Sequence, residues 1–396
     1  MRTKVFYNLP EESCYGCQAC AQICPVSAIE MKEDKEGFLF PIIDSSKCIE
    51  CNLCEKSCTT QDRVLSPLLH SLPEKVDAAW ELDIQSRLES TSGGLFYIIG
   101  EKWIKSGGIV YGADFDENLK VVHKRVSNIE GLKRLRGSKY VQSDITGILR
   151  SVKEDLKMGE KVLFSGTPCQ VGGLRAFLKR DYPNLVCIDL VCHGVPSPKI
   201  FKEHLRYVET TIGKKLIDYK FRSKDKAGWR SYIKYIFQDY KYKKSTLGNE
   251  FYALNFYSSN FNRKSCFSCQ YSRPERVGDI TLSDFWNAEK YNKSLRLQRK
   301  YGFNMVMCNT EIGKQVYDTV RGDIETLSLP VDVALKGDVR LRHPECAPLE
   351  RDSLFNDYYS HGYEWLIKNR TNKPSGISRF IPLCIKNLIN EIKARL

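Results

Sequence analysis

Eight cysteines between Cys14 and Cys58 fall into two copies of one spacing, and this constrains the chain more than any other feature. The first copy is Cys14-x2-Cys17-x2-Cys20-x3-Cys24-Pro25, and the second is Cys48-x2-Cys51-x2-Cys54-x3-Cys58. Thiolate runs of this spacing wrap cubane iron–sulfur clusters. Where two runs occur together, the fourth cysteine of each reaches the other cluster. Cluster one is therefore assigned to Cys14, Cys17, Cys20 and Cys58, and cluster two to Cys48, Cys51, Cys54 and Cys24. The competing readings are zinc and disulfides. Structural zinc pairs two CxxC units across a longer gap, and disulfides need an oxidising compartment. The second run is followed by Thr59-Thr60 where the first has Pro25.

The chain has 396 residues, enough for two or three domains with a large core. Its first thirteen residues, MRTKVFYNLPEES, hold no continuous apolar stretch of the export-signal kind. No integral membrane segment is expected, because IPLCIKNLI near the end is broken by Lys386 and Asn387. Sixteen cysteines without an export signal point to a reducing cytoplasm and to metal. The formal charge of +13 comes from dispersed basic residues without a nucleic-acid reader motif, so no nucleic-acid partner is expected. Docking of an acidic redox protein or attraction of an anionic cofactor suits the clusters better; a plain solvated basic surface accounts for the charge equally well.

Between the cysteine runs, AIEMKEDKEGFLFPIID reads as a hairpin turning at Gly37. The stretch after the second run carries Pro67 and Pro73 and reads as a linker over 63–78. Ser92-Gly93-Gly94 then opens an amphipathic helix that Gly107-Gly108 stops, followed by the strand IVYGADF. A helix starting at small residues offers free N–H groups to a phosphate, although many such helices bind nothing, and the pattern is not GxGxxG. The basic loop around Gly137, with Arg134, Arg136 and Lys139, suits a phosphate or an ordinary solvated turn.

KVLFSGT reads as a strand, with Thr167 and Pro168 as N-cap and N1 of the next helix and LVCIDLVCHG as a further strand. That is a parallel strand–helix–strand unit. Cys169 falls in the first helical turn, where the dipole is expected to lower its pKa. Cys192 ends the next strand, so the two thiols are expected to converge. Ser197-Pro198 opens another helix, and 214–262 reads as strands and loops. Cys266 and Cys269 bring the later thiols to four, enough for a third cubane; a redox-active CxxC and buried structural cysteines are the alternatives. Cys187, Cys308, Cys346 and Cys384 are left as core or surface thiols. Residues 372–396 read as a basic amphipathic helix.

The first 60 or so residues resemble a bacterial-type two-cluster ferredoxin domain. TSGGLF at 91–96, RGSKYVQSD at 136–144, FSGTPCQVGGLRAFL at 164–178, DLVCHGVPSP at 189–198 and SCFSCQYSRPERVGDITLSDFWN at 265–287 together resemble the family of coenzyme F420 hydrogenase and dehydrogenase beta subunits, whose relatives include 7-hydroxymethyl chlorophyll a reductase. The resemblance implies a FAD-containing iron–sulfur oxidoreductase that exchanges a hydride with a deazaflavin or another small molecule. It implies a flavin pocket from Ser92, Gly93, Gly94, Gly137, Ser138, Lys139, Tyr140, Gly166, Thr167 and Gln170, with a third [4Fe–4S] cluster on Cys169, Cys192, Cys266 and Cys269. The expected fold is α+β and α/β: a ferredoxin domain over 1–62, the linker, a mixed α/β flavin-binding catalytic region over 79–155 and 156–345, and a helical tail over 346–396. External ferredoxin or a redox partner subunit would exchange electrons with it, and a homo-oligomer is compatible. The alternative function is a non-enzymatic relay to a separate catalytic chain. No catalytic residue is assigned; His193 and Asp284 are the candidate proton donors.

Overall fold

The structure is a computed structural model and describes residues 11–224, 228–229, 232–286 and 288–370, so the expected helix at 372–396 lies outside the described residues, as does Cys384. Between the cysteine runs, β1 (Ile29–Glu33) pairs antiparallel with β2 (Leu39–Ile43), with Ile29 opposite Ile43. Asp34 Oδ1 accepts from the Phe38 amide at 2.8 Å and Gly37 sits at φ +90°, so the expected turn is the one that forms.

The body is built from β3 (Lys75–Glu81), β4 (Ile109–Phe115), β5 (Val121–Val126), β6 (Val162–Ser165), β7 (Leu185–Leu190), β8 (Leu216–Ser223), β9 (Tyr232–Phe237), β10 (Tyr242–Thr246), β11 (Ile280–Asp284), β12 (Asn304–Cys308) and β13 (Ile324–Pro330). Eight of these form one sheet in the order β13-β3-β12-β11-β7-β6-β4-β5. The four central strands β11, β7, β6 and β4 run parallel, and antiparallel neighbours flank them on both sides. The fold is thus mixed α/β.

Central strands are covered on both faces, so they read as unbroken apolar runs. Leu163, Val186 and Ile188 pack against the helices Leu95–Lys105 and Ile129–Leu135 on one face. Val162, Phe164 and Cys187 pack against Ile148–Lys157 and Pro168–Leu178 on the other, where Tyr15 and Ala19 of the first cysteine loop join the same core. Leu65, in the stretch read as a linker, is fully buried there too. β8, β9 and β10 form a separate antiparallel sheet. With the helices Pro198–Ile212 and Phe251–Tyr257 it makes an aromatic core. The second of these helices lies in the segment read as strands and loops. Its N-cap is Glu250, whose carboxylate accepts from the Ala253 amide at 2.9 Å.

The dicluster segment is fastened to the body by buried polar groups. The Arg351 guanidinium pairs with the Glu36 carboxylate across 315 residues of sequence. Arg263, 1% exposed, donates to the carbonyls of Cys14 at 2.6 Å and Leu39 at 3.0 Å and to Gln142 Oε1 at 3.1 Å. Gln22 bonds the Ile145 carbonyl and the Leu149 amide. Among the described residues no helix is long and apolar enough to cross a membrane.

Candidate redox site

Both cysteine loops bend in the same way. Gly16 (φ +69°) and Gln18 (φ +57°) in the first correspond, at the same offsets from the leading cysteine, to Glu50 (φ +52°) and Asn52 (φ +56°) in the second. Left-handed residues at alternating positions turn successive N–H groups to one side, a concavity suited to an anion. Three thiols already take such donors: Gly16 N–H to Cys14 Sγ at 3.4 Å, Ala28 N–H to Cys24 Sγ at 3.3 Å and Gly194 N–H to Cys192 Sγ at 3.4 Å. Where the first run has proline, the second has Thr59, and the next residue, Thr60, places its hydroxyl 3.0 Å from Cys58 Sγ.

The thiols fall into three groups. Cys20 is raised well above the ordinary thiol range by burial first and then by Cys17, Cys14, Cys58 and, from the second run, Cys54. Cys54 is pushed up to about 11 by burial, with Cys51 and Cys24 adding to it. Cys169 is raised by burial first and then by Cys192, Cys269 and Cys266. The helix start was expected to lower the Cys169 pKa; burial outweighs the dipole. Cys192 and Cys266 are likewise pushed up, to about 11 and about 12, chiefly by burial. Thiols held this way stay protonated at neutral pH unless a metal centre takes the proton's place. Among the described residues no group of three or more His, Cys, Asp or Glu side chains is placed to hold a metal ion. Cys51 of the second group is exposed, whereas Cys187 is buried core and Cys346 is exposed.

Beside the third group lies a cavity of about 1550 Å³. It opens at the carboxyl ends of β6, β7 and β11, the usual ligand position in such a sheet. Ser92, Gly94, Gly137, Ser138, Lys139, Tyr140, Gly166, Thr167 and Gln170 line it, together with Cys192. Gly93 stands outside the lining: a Cβ there would meet the Ala79 carbonyl oxygen at 2.4 Å, so it serves close packing. Gly137, at φ +88°, has only Thr91 Oγ1, at 3.7 Å, near the place of a side chain and leaves the cavity open.

Several lining residues work on the protein itself. Lys139 Nζ donates to the carbonyls of Arg134, Leu135 and Arg136 and caps a helix end. Gln170 Oε1 accepts from the Thr167 amide at 3.0 Å while its Nε2 donates to Ser143 Oγ at 2.8 Å. Ser143 Oγ lies 2.9 Å from His123 Nδ1, and His123 Nε2 lies 3.0 Å from the Ser165 carbonyl. A carbonyl only accepts, so the proton sits on Nε2 and Nδ1 takes the serine proton. Burial pushes His123 down to about 4, which keeps this chain neutral.

On the far wall Tyr140 and Asp284 were expected from sequence, whereas Phe256, Arg222 and Trp286 were not. Tyr140 stacks on Phe256 at 4.1 Å, and Arg222 pairs with Asp284 at 2.5 Å with its guanidinium 5.3 Å from the Trp286 ring centre. Arg222 Nη2 is buried without a hydrogen-bond partner at the cavity wall. His193 and Asp284 both line the cavity; the first touches Arg340 and Glu345, and the second is held by Arg222.

Glu81 sits under the start of the Leu95–Lys105 helix, where a Cβ on Gly94 would meet its Oε2 at 2.5 Å. Its Oε2 has no hydrogen-bond partner, and burial raises its pKa to about 7. The folded protein therefore binds a proton that the unfolded chain releases near pH 4.5, so this group's contribution to stability falls as pH rises from about 4.5 to about 7. Glu81→Gln is expected to remove that slope, up to roughly 1.4 kcal/mol per pH unit. Denaturant titrations at pH 5 and pH 8, about the two ends of the window, check it; equal pH dependence in both proteins would refute the assignment.

Residues 159–330 match the family model for the C terminus of the coenzyme F420 hydrogenase/dehydrogenase beta subunit, and residues 13–61 match that of a 4Fe-4S dicluster domain. The F subunit of the F(420)H(2) dehydrogenase of Methanosarcina mazei is 22% identical over 83% of this chain and 88% of its own length. The methylamine utilization ferredoxin-type protein MauM of Methylophilus methylotrophus is 37% identical over 16% of this chain and 30% of its own. A chain of the F420-reducing [NiFe] hydrogenase complex from Methanosarcina barkeri matches 79% of this chain and 96% of its own, at 16% identity and a TM-score of 0.45; a likeness at that level carries no argument. The chain thus carries a region similar to a 4Fe-4S dicluster domain over residues 13–61 and a region similar to the C terminus of the coenzyme F420 hydrogenase/dehydrogenase beta subunit over residues 159–330.

Proposed function

We propose that this chain is a FAD- and iron–sulfur-dependent oxidoreductase that moves electrons between its clusters and a hydride-exchanging small molecule. The observation that carries the reading is the shared cavity: nine of the ten residues singled out for flavin, and Cys192 of the third thiol group, line it. Its volume exceeds the roughly 300–1,000 Å³ of ordinary small-molecule pockets, so a dinucleotide-sized group leaves room for a second ligand.

The residues fit a flavin in two respects. Gly137 leaves open space, and Arg222 has a donor without an acceptor. FAD, when bound, supplies conversion between one-electron and hydride chemistry. Tyr140, Phe256 and Trp286 would flank a planar ring, and Arg222 would bond an acceptor on it. Cluster one belongs to Cys14, Cys17, Cys20 and Cys58, cluster two to Cys48, Cys51, Cys54 and Cys24, and the third to Cys169, Cys192, Cys266 and Cys269. The exposed Cys51 marks cluster two as the point of exchange with a ferredoxin or a redox partner subunit. The relative's name makes an F420-type deazaflavin the first hydride donor or acceptor to test.

Anaerobic purification with paired iron, sulfide and flavin quantification tests this. About twelve irons and one FAD per chain are expected, with four irons to each cubane. About eight irons and no flavin, even after reconstitution, would leave the alternative of an electron relay serving another subunit.

A further inference from the structure

The antiparallel sheet of β8, β9 and β10 turns Tyr219, Phe221, Ile233, Tyr235 and Phe237 into the aromatic core, which leaves its other face outward. Lysines cross that outer face in one row. Lys234 of the middle strand stands directly opposite Lys220 of β8 on one side and Lys244 of β10 on the other. Lys220 is exposed and the other two are half-buried. Like charges opposed across strands repel, and Lys234 is pushed down from the usual lysine range by burial first and then by Lys220 and Lys244. Edge strands carry lysines to block stray sheet pairing. That accounts for a lysine on β10 but not for one on the middle strand.

Tyrosines accompany the row. Lys234 Nζ lies 4.1 Å from the ring centre of Tyr242, and Lys244 Nζ lies 5.4 Å from that of Tyr232. Tyr240, at the turn between β9 and β10, has φ +58° and is 83% exposed. A hairpin turn with positive φ ordinarily takes glycine, asparagine or aspartate. A bulky ring held there at a backbone cost, with so little of it covered, gains little from the fold. Nearby acids are already engaged: Asp239 pairs with Lys214 at 2.6 Å, and Asp218 Oδ1 accepts from the Tyr219 amide at 2.8 Å. β8 carries Lys220 and, two residues on, Arg222 at the cavity wall, so the patch borders the cavity.

We infer that the outer face of β8, β9 and β10 is a docking surface for the acidic face of a partner protein, with the lysine row receiving carboxylates and Tyr240 packing at its margin. The inference uses no cluster ligand and no bound flavin, so it stands apart from the function proposed above. Charge complementarity carries it: a row of opposed ammonium groups is relieved when carboxylates come between them. Lysines are hydrated point charges on flexible stems, suited to fast, salt-sensitive encounters, and exposed tyrosine is a favoured interface residue. Nucleic acid is the lesser fit, because Tyr232 and Tyr242 are engaged by the row itself and base stacking needs open rings.

The test is binding of fluorescein-labelled poly-L-glutamate to the full-length, anaerobically purified chain, followed by fluorescence anisotropy at low salt. Wild type should bind, and Lys220→Gln/Lys234→Gln/Lys244→Gln should bind about tenfold more weakly, the combined effect of several surface charge contacts. Lys105→Gln/Lys133→Gln/Lys368→Gln removes as many positive charges from exposed sites elsewhere and should stay close to wild type. Equal losses in the two triple variants would reduce the effect to net charge and overturn the inference, as would a wild type that does not bind. Labelled single-stranded DNA bound more tightly than polyglutamate, and lost with the same row, would overturn it in favour of nucleic acid. Thermal melts establish that each variant is folded. Should the row variant not fold, Lys220→Glu alone, at the exposed end of the row, is expected to weaken binding several-fold; wild-type binding by that variant would overturn the inference.

Discussion

Replacing Cys169 by serine is expected to lower iron by about four per chain while about eight irons stay in the dicluster domain. The reasoning begins with burial. Cys169 is enclosed with Cys192, Cys266 and Cys269, and each of those thiols raises it electrostatically. None of the N-terminal ligands belongs to that group. A serine alkoxide is a poor substitute for thiolate on iron, so the third cluster should be lost rather than weakened. The N-terminal clusters should survive, because their thiols are tied to their own loops by Gly16 and Ala28 amides. Iron analysis of the variant beside wild type decides the point. An unchanged value would mean that these four cysteines are buried structural thiols.

Arg263→Met should produce the largest loss of stability of any single substitution at the junction, about 3–5 kcal/mol. The guanidinium is enclosed, rests 4.0 Å from the Phe40 ring centre, and donates to the Cys14 and Leu39 carbonyls and to Gln142. Methionine fills much of the volume but strands those acceptors. Burial pushes both Cys17 and Cys266 up and the same cation opposes it in each, so it stands between the first ferredoxin thiols and the third group. The variant should therefore also assemble less iron than wild type. Denaturant midpoints on holoprotein, with iron measured in parallel, would show both effects. A stability loss below about 1 kcal/mol would mean that the dicluster domain docks without this contact.

Much of the site was readable because it rests on local rules. Cysteine spacing depends on loop length alone, and the two runs could be divided into clusters without knowing what surrounds them. Thr167 and Pro168 announced a helix start, and the Pro168–Leu178 helix begins there. The hairpin at Gly37 followed from turn chemistry.

What escaped was set by distant parts of the chain. Nothing in the neighbourhood of Arg222 announces Asp284 as its partner. Nothing near Cys169 says that burial will overrule the helix dipole. Lys139 looked like a phosphate ligand because its neighbours are Gly and Ser, yet its ammonium caps the helix just before it. β12 and β13 join the large sheet from beyond the last of the family motifs. Their partner is β3, some 220 residues earlier in sequence at the closest paired positions of β12, such as Asn304 with Ala79.

The buried fastenings of the dicluster segment have a mechanical consequence. Glu36 with Arg351, Gln22 with Leu149, and Arg263 with Cys14 pin that segment at widely separated points, each enclosed by the body. A domain so held does not swing on a tether to carry charge from one place to another. Electrons moving as proposed above would follow a fixed route, leaving the arrival of a partner as the step made by diffusion.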